Sequence, residues 1–572
     1  MLPPEVMRVL LLIGLAATGY MLIQAWNEDY MQRPIAAYAE SPLVAGGSTV
    51  LPGKASPISD IDQAATSNPS DVPTPDILES TNEVVPVVAS KGDSVVEETP
   101  GRLVTVVTPT LKVWIDRQGG DVVRVQLPKY PVSSKTPDVP YLLMENSGDH
   151  TYVAQSGLMG KDGLDGSGER PLYDADTAAL ELTAGEQKTL SLKIEKSGQR
   201  VTKTFAFNAD SYVVGVDLKL ENIGTQPLEA ALFAQIKRDN KAPIIEEGFS
   251  FGPQSYLGGA LTTPEERYLK VDFDDLDEAS MRRTVEGGWI ALLQHYFVSA
   301  WVPRADENNN FFAQRRSDGL YVFGYTAPKK SVLPGATGHW QTSLYTGPKD
   351  QHELDQVARH LGLTVDYGFL WWLAVPLFDV MSWLHDWVGN WGLAIILLTV
   401  MVKIVLYPLF NLSYKSMAKL RKVAPELKLL QERYADDRQK LSQEMMKLYQ
   451  KEGANPLGGC LPMLLPMPVF LALYWVLWES VELRQAPFFL WIQDLSAMDP
   501  YFVLPLLMGG TMYLQQTMAP AMGDPMQQRM MKMMPVIFTA MFLFFPAGLV
   551  LYWLVNNILS VTQQWYVTRS IL

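Results

Sequence analysis

The chain divides into two parts by the spacing of its apolar and polar residues. From Leu103 onward, short runs alternate apolar with polar positions between turn residues, which is the pattern of half-buried β-strands. We predict strands over Leu103–Val107, Asp121–Gln126, Leu190–Glu195, Val201–Phe207, Tyr212–Leu220 and Leu228–Ile236. A helix over Lys349–Leu361 is expected to close this region. The pattern favours an external all-β sandwich across residues 101–362.

Long apolar runs dominate the rest of the chain and are typical of membrane-spanning helices. The runs are Val9–Ala25, Gly392–Phe410, Leu461–Leu477, Tyr501–Gln516, Met530–Phe545 and Leu549–Tyr566. They predict a multi-pass α-helical membrane protein with six spans. The first run could be a cleaved signal peptide. We favour an uncleaved anchor over residues 1–26, because the small-residue site Ala37-Tyr38-Ala39 lies too far beyond the run.

Charge fixes the expected orientation of these spans. The segment 411–455, between the second and third runs, is rich in lysine and arginine. Positive residues gather in cytoplasmic loops, so we predict that both termini are cytoplasmic and that the acidic region outside the bundle is external. The formal net charge of −14 argues against a nucleic-acid-binding protein.

Two segments connect the anchor, the β region and the bundle. Residues 27–100 are rich in Ser, Pro, Thr, Asp and Gly without periodicity, which predicts a disordered linker. Residues 363–388 contain the aromatic stretch Phe369–His385, which we interpret as an amphipathic helix on the outer membrane surface. The alternative is a buried core helix of the β domain. The tryptophans of the aromatic stretch favour the helix at the membrane interface, because tryptophan is enriched at the level of the lipid headgroups.

The segment 411–455 is predicted to form an antiparallel helical hairpin. Leu420, Val423, Leu427 and Leu430 alternate spacings of three and four, as in paired helices. Its basic residues include Lys415, Lys419, Arg421, Lys422, Arg433, Arg438 and Lys440. These charges could form a solvated face or contact the RNA surface of a ribosome, and the pattern does not decide between the two.

Polar residues inside the spans concentrate in the predicted cytoplasmic halves. Thr399 and Lys403, four residues apart, share one face of the second span. The others are Thr511, Gln515, Gln516, Asn556, Asn557, Ser560, Gln563 and Gln564. Because polar groups facing hydrocarbon are costly, we expect a wet groove open to the cytoplasm and closed toward the outside.

Lys403 is the charged residue of this groove. No Asp or Glu lies at a matching depth in another span, so we expect the ammonium to lack a protein partner and to meet water or a visiting anion. The alternative is a lysine that snorkels to the membrane interface. The methionines between Met508 and Met541 are either an adaptable surface or ordinary core filler.

The sequence contains no motif that clearly indicates an enzyme active site. The histidines lack zinc-ligand spacing, and there is no phosphate-binding loop with its lysine. The stretch Gly248–Gly252 has the spacing of a nucleophile elbow, but its all-β surroundings favour a loop serine. Cys460 is the only cysteine, so no intramolecular disulfide can form. We predict no metal, no cofactor and no enzymatic activity.

Several stretches together resemble the YidC family of bacterial membrane protein insertases, which is related to insertases of mitochondria and chloroplasts. They are Ile23–Trp26, Gln294–Phe297, Leu363–Gly368, Gly389–Gly392, Ser416–Lys419, Asn455–Cys460, Val481–Phe488, Asp524–Gln528 and Gly548–Tyr552. The resemblance covers nearly all of residues 287–572. It is diffuse over the β domain and does not extend to the linker.

The resemblance implies an inner-membrane insertase and chaperone for integral membrane proteins. Residues 389–572 would form five core spans enclosing a hydrophilic groove, with an external β-supersandwich. The implied partners are nascent membrane proteins, the Sec translocon, the ribosome and the lipid bilayer. The groove would include Lys403, Thr399, Gln515, Tyr552, Trp553, Asn556 and Asn557.

Three departures from the family pattern matter. Lys403 stands where Gram-negative members usually carry arginine, so charge is kept but the bidentate fork is lost. Tyr552-Trp553 replaces a common Tyr-Tyr, which still offers an aromatic sliding surface. The chain stops shortly after Arg569, where many relatives have a longer basic tail that would contact the ribosome.

Two rival classes of function are weighed against this interpretation. A secondary transporter or channel would show inverted repeats and broken helices at the midplane, and no internal repeat is visible. A membrane-anchored sugar-active enzyme would need convergent carboxylates in a cleft of the β domain, which a sequence cannot locate.

Overall fold

The structure is a computed structural model. It describes residues 101–148, 150–165, 170–241, 243, 255–434, 437–451, 465–518 and 525–571. The predicted anchor and linker, the serine stretch 248–252 and Cys460 lie outside the described residues.

The β domain follows the alternating pattern of its sequence. β1 occupies Leu103–Val107 with every second residue buried, as predicted. The other strands are β2 Lys112–Asp116, β3 Asp121–Ser133, β4 Thr136–Ser147, β5 His150–Met159, β6 Asp174–Ala175, β7 Ala179–Glu181, β8 Gln187–Lys196, β9 Gln199–Asn208, β10 Val213–Asn222, β11 Leu228–Arg238, β12 Gly258–Leu261, β13 Leu269–Val271, β14 Met281–Glu286, β15 Ile290–Leu293, β16 Phe297–Pro303, β17 Asn308–Arg315, β18 Tyr321–Thr326, β19 Lys330–Val332 and β20 Thr337–Pro348. Two short helices, α1 Phe273–Glu278 and α2 Gln351–Val357, accompany them.

The strands form two sheets, which confirms the predicted β-sandwich. One has eleven strands, in the order β14-β17-β18-β11-β5-β4-β3-β2-β1-β7 with β19 beside β11. The other has nine, in the order β13-β12-β15-β16-β20-β10-β9-β8-β6. Tyr152 on β5 donates a hydrogen bond of 2.8 Å to Ser299 Oγ on β16. Lys203 on β9 is fully buried and donates a hydrogen bond of 2.8 Å to the carbonyl of Ser156 on β5. Hydrogen bonds therefore join the two sheets.

The second half of the chain is helical. Its helices are α3 Trp371–Val388, α4 Trp391–Val405, α5 Tyr407–Arg433, α6 Arg438–Lys451, α7 Met467–Glu479, α8 Val503–Met518, α9 Pro525–Phe542 and α10 Ala547–Ile571. α10 packs against α4, α5, α7 and α8, and α8 packs against α9. α10 is therefore the central helix of the described bundle.

α3 is the amphipathic helix predicted from the aromatic stretch. It buries Ala374, Phe378 and Met381, and it packs on α4 and α7. Trp372, Trp383 and Trp387 are exposed on its other side. The alternative of a core helix inside the β domain is wrong, because its buried face meets the bundle.

The predicted second span, Gly392–Phe410, is not one helix. α4 ends at Val405, and α5 starts at Tyr407 with its axis turned by 67°. Pro408 lies in the first turn of α5. Proline has no N–H to donate to the carbonyl one turn earlier, so the α4 hydrogen-bond ladder cannot continue through it. α5 then runs on into the predicted hairpin.

Among the described residues, no single helix combines the length and hydropathy expected of a crossing. Taken together, the bent pair of α4 and α5 has the length and the hydropathy expected of a membrane crossing.

The β domain contacts the bundle at the end of α7. Lys349 and Glu479 form a buried ion pair of 2.8 Å. His295 Nε2 lies 2.7 Å from the carbonyl of Trp478, and burial lowers the pKa of this histidine to about 3. Arg484 donates to the carbonyl of Pro131 at 2.8 Å. Polar contacts from β3 and from the residues that border β16 and β20 thus fix the β domain to one end of the bundle.

Candidate functional site

α4 presents its two polar residues toward α10. Asn390 caps α4 by accepting a hydrogen bond from the Leu393 amide at 3.0 Å, which sets where the helix begins. Thr399 and Lys403 are buried on the face that meets α10. The Thr399 hydroxyl donates a hydrogen bond of 2.6 Å to the carbonyl of Ile395, so its proton is already bonded within α4.

The Lys403 ammonium is held by neutral groups. Nζ donates to Ser560 Oγ at 2.7 Å and lies 3.5 Å from Asn556 Oδ1. It also lies 3.5 Å from the centroid of the Phe410 ring. The expectation that Lys403 has no protein partner is therefore wrong. Snorkelling does not describe it either, because the residue is only 7% exposed.

No carboxylate neutralises this cation within the described residues. Its neighbours are a hydroxyl, an amide oxygen and an aromatic face, none of which carries a full negative charge. A cation held this way stays receptive to an anion, because a carboxylate interacts more strongly than a neutral acceptor at low dielectric.

The other predicted polar residues extend from this point along α8 and α10. Asn557 donates to Thr511 Oγ1 on α8 at 3.4 Å. Gln564 donates to the carbonyl of Met518, the last residue of α8, at 3.3 Å. Gln515 is half-buried one turn after Thr511. Of the polar side chains predicted from their depth in the spans, Thr511, Asn557 and Gln564 therefore make contacts across the α8–α10 seam.

The two aromatic residues on α10 have different positions. Both Tyr552 and Trp553 are buried. Tyr552 lies one turn before Asn556 on α10, so it is on the same face as the polar residues. Trp553 packs edge-on against Phe470 of α7 at 4.7 Å and contacts Phe542 of α9 at 5.6 Å. In this structure they do not form an exposed aromatic surface.

The basic hairpin is formed by α5 and α6. Its apolar seam contains Val423, Leu427 and Leu448, with Leu430 and Met445 packed beside them. Six of the predicted basic residues are described as side chains. All six are exposed, namely Lys415, Lys419, Arg421, Lys422, Arg433 and Lys440. Lys419 and Lys440 also contact other groups of the protein. The side chain of Arg438 lies outside the described residues.

The outer surface of the bundle is apolar. Exposed large apolar side chains include Leu397, Met401, Ile404, Leu412, Leu506, Leu507, Leu514, Met533, Val536, Ile537 and Ile558. A water-facing protein rarely exposes so many on neighbouring helices. The methionines divide between both predicted roles, since Met508 is fully buried and Met533 is exposed.

Comparisons with known proteins agree with this two-part architecture. The family model of the YidC periplasmic domain matches residues 103–380, and that of the 60Kd inner membrane protein matches residues 383–572. Membrane protein insertase YidC of Azotobacter vinelandii is 46% identical over 572 residues, covering 99% of both chains. The insertase YidC of Pseudomonas putida strain W619 is also 46% identical, covering 99% of this chain and 98% of its own.

The chain belongs to the YidC family of membrane protein insertases. A solved structure titled as an active YidC insertase with the first transmembrane domain resolved is similar at 18% identity. It covers 82% of this chain and 94% of its own, with a TM-score of 0.38. Like its YidC relatives, the protein is an insertase of the inner membrane with a periplasmic β domain, and it is not an enzyme.

YidC membership also decides between the rival functions. The relatives that match nearly the whole chain are named insertases, and neither a transporter nor a sugar-active enzyme is needed to account for the β domain or the bundle. Sequence reasoning missed Phe410 as a neighbour of Lys403. The only available signal was Pro408, which marks the bend that brings the ring back.

Proposed function

We propose that Lys403, with Asn556 and Ser560, forms a polar groove that receives the acidic part of a membrane protein during insertion. The observation that carries the proposal is a buried ammonium that, among the described residues, bonds to neutral oxygens and to no carboxylate. Burying a cation is costly unless an opposite charge pairs with it. A carboxylate on the inserting segment would supply that charge.

A hydrated lining supports the groove. Both polar atoms of the Gln563 side chain, and Oε1 of Gln564, are buried without a hydrogen-bond partner among the described residues. Buried polar groups of this kind are commonly satisfied by ordered water. With Thr399, Gln515 and Asn557, they would give a short hydrophilic segment a polar path partway across the bilayer.

The apolar part of the substrate would leave toward lipid. α8 and α9 expose leucines, valines and methionines on their outer faces. Transfer of an apolar helix into hydrocarbon releases free energy in proportion to its buried area, so no covalent step is needed. We assign Tyr552 to the groove lining and Trp553 to the support of α10 against α7 and α9.

The experiment compares two substrates in proteoliposomes. Both are single-span proteins with a short N-terminal tail, which carries two aspartates in one and two asparagines in the other. Lys403→Ala should lower insertion of the acidic substrate about ten-fold while sparing the neutral one, and Lys403→Arg should retain most activity. Lys532→Ala, which removes an exposed lysine of α9 outside the hairpin and the groove, is the matched control. Full insertion of the acidic substrate by Lys403→Ala would refute the proposal.

We further propose the membrane arrangement expected from the sequence. Residues 1–26 would be an anchor span, 27–100 a periplasmic linker, 101–362 the periplasmic β domain, 363–388 an interfacial helix and 389–572 a five-span core. Both termini would be cytoplasmic, since the basic hairpin and Arg569 fall on one side. The test is a reporter enzyme that works only in the cytoplasm, fused after Leu572. The fusion protein should show reporter activity. A fusion that is fully expressed but inactive would contradict this orientation.

The hairpin is proposed to contact the ribosome, and the insertase to act alone or with the Sec translocon. The exposed lysines and arginines of α5 and α6 support an electrostatic contact with RNA. Co-sedimentation with ribosomes should weaken steeply with salt. Replacing Lys415, Arg421 and Lys422 together by glutamate should abolish it, and co-sedimentation that survives would refute the contact.

A further inference from the structure

Phe410 covers the groove cation. The centroid of its ring lies 3.5 Å from Lys403 Nζ, while Ser560 Oγ and Asn556 Oδ1 accept from the same ammonium at 2.7 and 3.5 Å. The face of an aromatic ring is its negative side, so the ring occupies the position that an anion would take. We propose that Phe410 is a gate that holds this position until a substrate carboxylate displaces it, an inference that rests on the proposed role of Lys403.

The bend between α4 and α5 creates this contact. In an unbroken helix, residues seven apart would be separated by about 10.5 Å along the axis. The break at Leu406 and the 67° turn bring the first turn of α5 back toward Lys403. The bend thus lies between the two residues that make this contact, and a change in the bend would change the distance between the ring and the ammonium.

A cluster of apolar side chains supports the ring. Phe410 is 1% exposed and stacks on Tyr414 with ring centroids 6.1 Å apart. Met417 and Val567 complete the cluster, with Leu406 packed beside them. The cluster joins α5, which leads into the hairpin, to the last turns of α10. In the proposed orientation it closes the cytoplasmic approach to Lys403.

The gate would favour acidic segments. A ring is a weaker partner for an ammonium than a carboxylate is, especially away from water, so an acidic tail gains from displacing it. A neutral tail gains nothing from the ammonium and does not compete with the ring. Phe410 thus sets how strongly a substrate must attract Lys403 before the groove accepts it.

The test uses three variants of the full-length protein. Phe410→Leu keeps an apolar side chain but removes the ring, Phe410→Tyr keeps the ring, and Lys403→Ala removes the cation. Access to the groove is measured by placing Thr399→Cys in a Cys460→Ser background and following its reaction with a membrane-impermeant maleimide in inverted vesicles. Insertion is measured with the acidic and neutral substrates described above.

Phe410→Leu should react with the maleimide roughly 5- to 30-fold faster than the parent, and it should insert limiting acidic substrate several-fold faster, with the neutral substrate unchanged. Phe410→Tyr should behave like the parent. If Phe410→Leu changes neither measurement while Lys403→Ala still impairs the acidic substrate, the gate is wrong and the role of Lys403 stands. If Lys403→Ala has no effect on the acidic substrate, the proposed groove function itself fails.

Discussion

Lys349 Nζ and Glu479 Oε2 lie 2.8 Å apart where the β domain meets the helical bundle. Lys349 follows the last strand of the β domain, and Glu479 is the final residue of α7. Both side chains are buried, so water weakens their attraction little. The pair therefore couples the periplasmic domain to the outer end of a helix whose opposite side packs on α10.

Removing one member of this pair should destabilise the protein strongly. Lys349→Met leaves an unpaired buried carboxylate, and we expect a loss of about 3–5 kcal/mol in the free energy of unfolding. The double variant Lys349→Met with Glu479→Leu should recover most of that loss. Thermal unfolding of the purified protein in detergent measures both. Equal midpoints for Lys349→Met and the parent would show that the pair does not join the two parts.

Glu482 makes the same interface sensitive to pH. It lies in the turn Val481–Leu483, and burial, with Asp350 nearby, raises its pKa to about 7. The folded protein therefore binds a proton between about pH 4.5 and 7 that the unfolded chain does not, so this residue costs stability as pH rises through 7. Glu482→Gln should be more stable than the parent by about 1 kcal/mol at pH 8, after allowing for partial exposure.

This advantage of Glu482→Gln should shrink toward pH 5, where the folded protein keeps Glu482 protonated and the pH approaches the unfolded-state pKa of 4.5. Comparing variant with parent at each pH cancels the contribution of His295, whose depressed pKa acts in the opposite direction below pH 6.5. A stability difference that does not change between pH 8 and pH 5 would contradict the assignment.

Gly509 sets the approach of α8 to α9. A Cβ added there would collide with the Thr539 hydroxyl and lie 3.1 Å from Thr539 Cβ, whereas one added to Gly510 meets nothing within 4 Å. Gly509→Ala should cost about 1–3 kcal/mol through overpacking. Gly510→Ala, the matched control, should be neutral or slightly stabilising because alanine favours helix. Thermal midpoints separate the two, and equal effects would mean that the helices do not pack this closely.

The hairpin depends on a narrow apolar seam. Leu427 is buried against Val423 and Leu448, while Leu429, two residues later, is 63% exposed. Leu427→Ala should weaken the hairpin by about 2 kcal/mol. Amide hydrogen exchange of α6 should then become roughly 30-fold faster. Leu429→Ala should leave that exchange unchanged. Equal exchange in the two variants would argue against the pairing of α5 with α6.

The sequence was most informative where a local pattern fixes the structure. β1 occupies the predicted residues, because alternation alone decides which side chains are buried. The second span was predicted as one helix from hydropathy, which does not register that Pro408 interrupts the hydrogen-bond ladder. The six spans and the orientation stay predictions.

The sequence predicted which residues form the site, but it did not predict which of them contact one another. Depth within the spans selected Lys403, Thr399, Asn556 and Asn557, since each is a polar residue in an apolar run. That Lys403 meets Ser560, 157 positions along the chain, depends on how α4 packs on α10, which no local pattern encodes. The Lys349–Glu479 pair was missed for the same reason.

We propose that Lys403 contacts the acidic part of an inserting segment, and the polar groove depends on this contact. Its most direct test is photo-crosslinking of a ribosome-bound nascent chain that carries a photoreactive residue next to its aspartate. If Lys403 makes this contact, crosslinks should form to α4 and α10 around Thr399 and Asn556, and they should fall several-fold in Lys403→Ala and persist in Lys403→Arg. An unchanged crosslinking pattern in Lys403→Ala, or crosslinks confined to the outer face of α9, would contradict it.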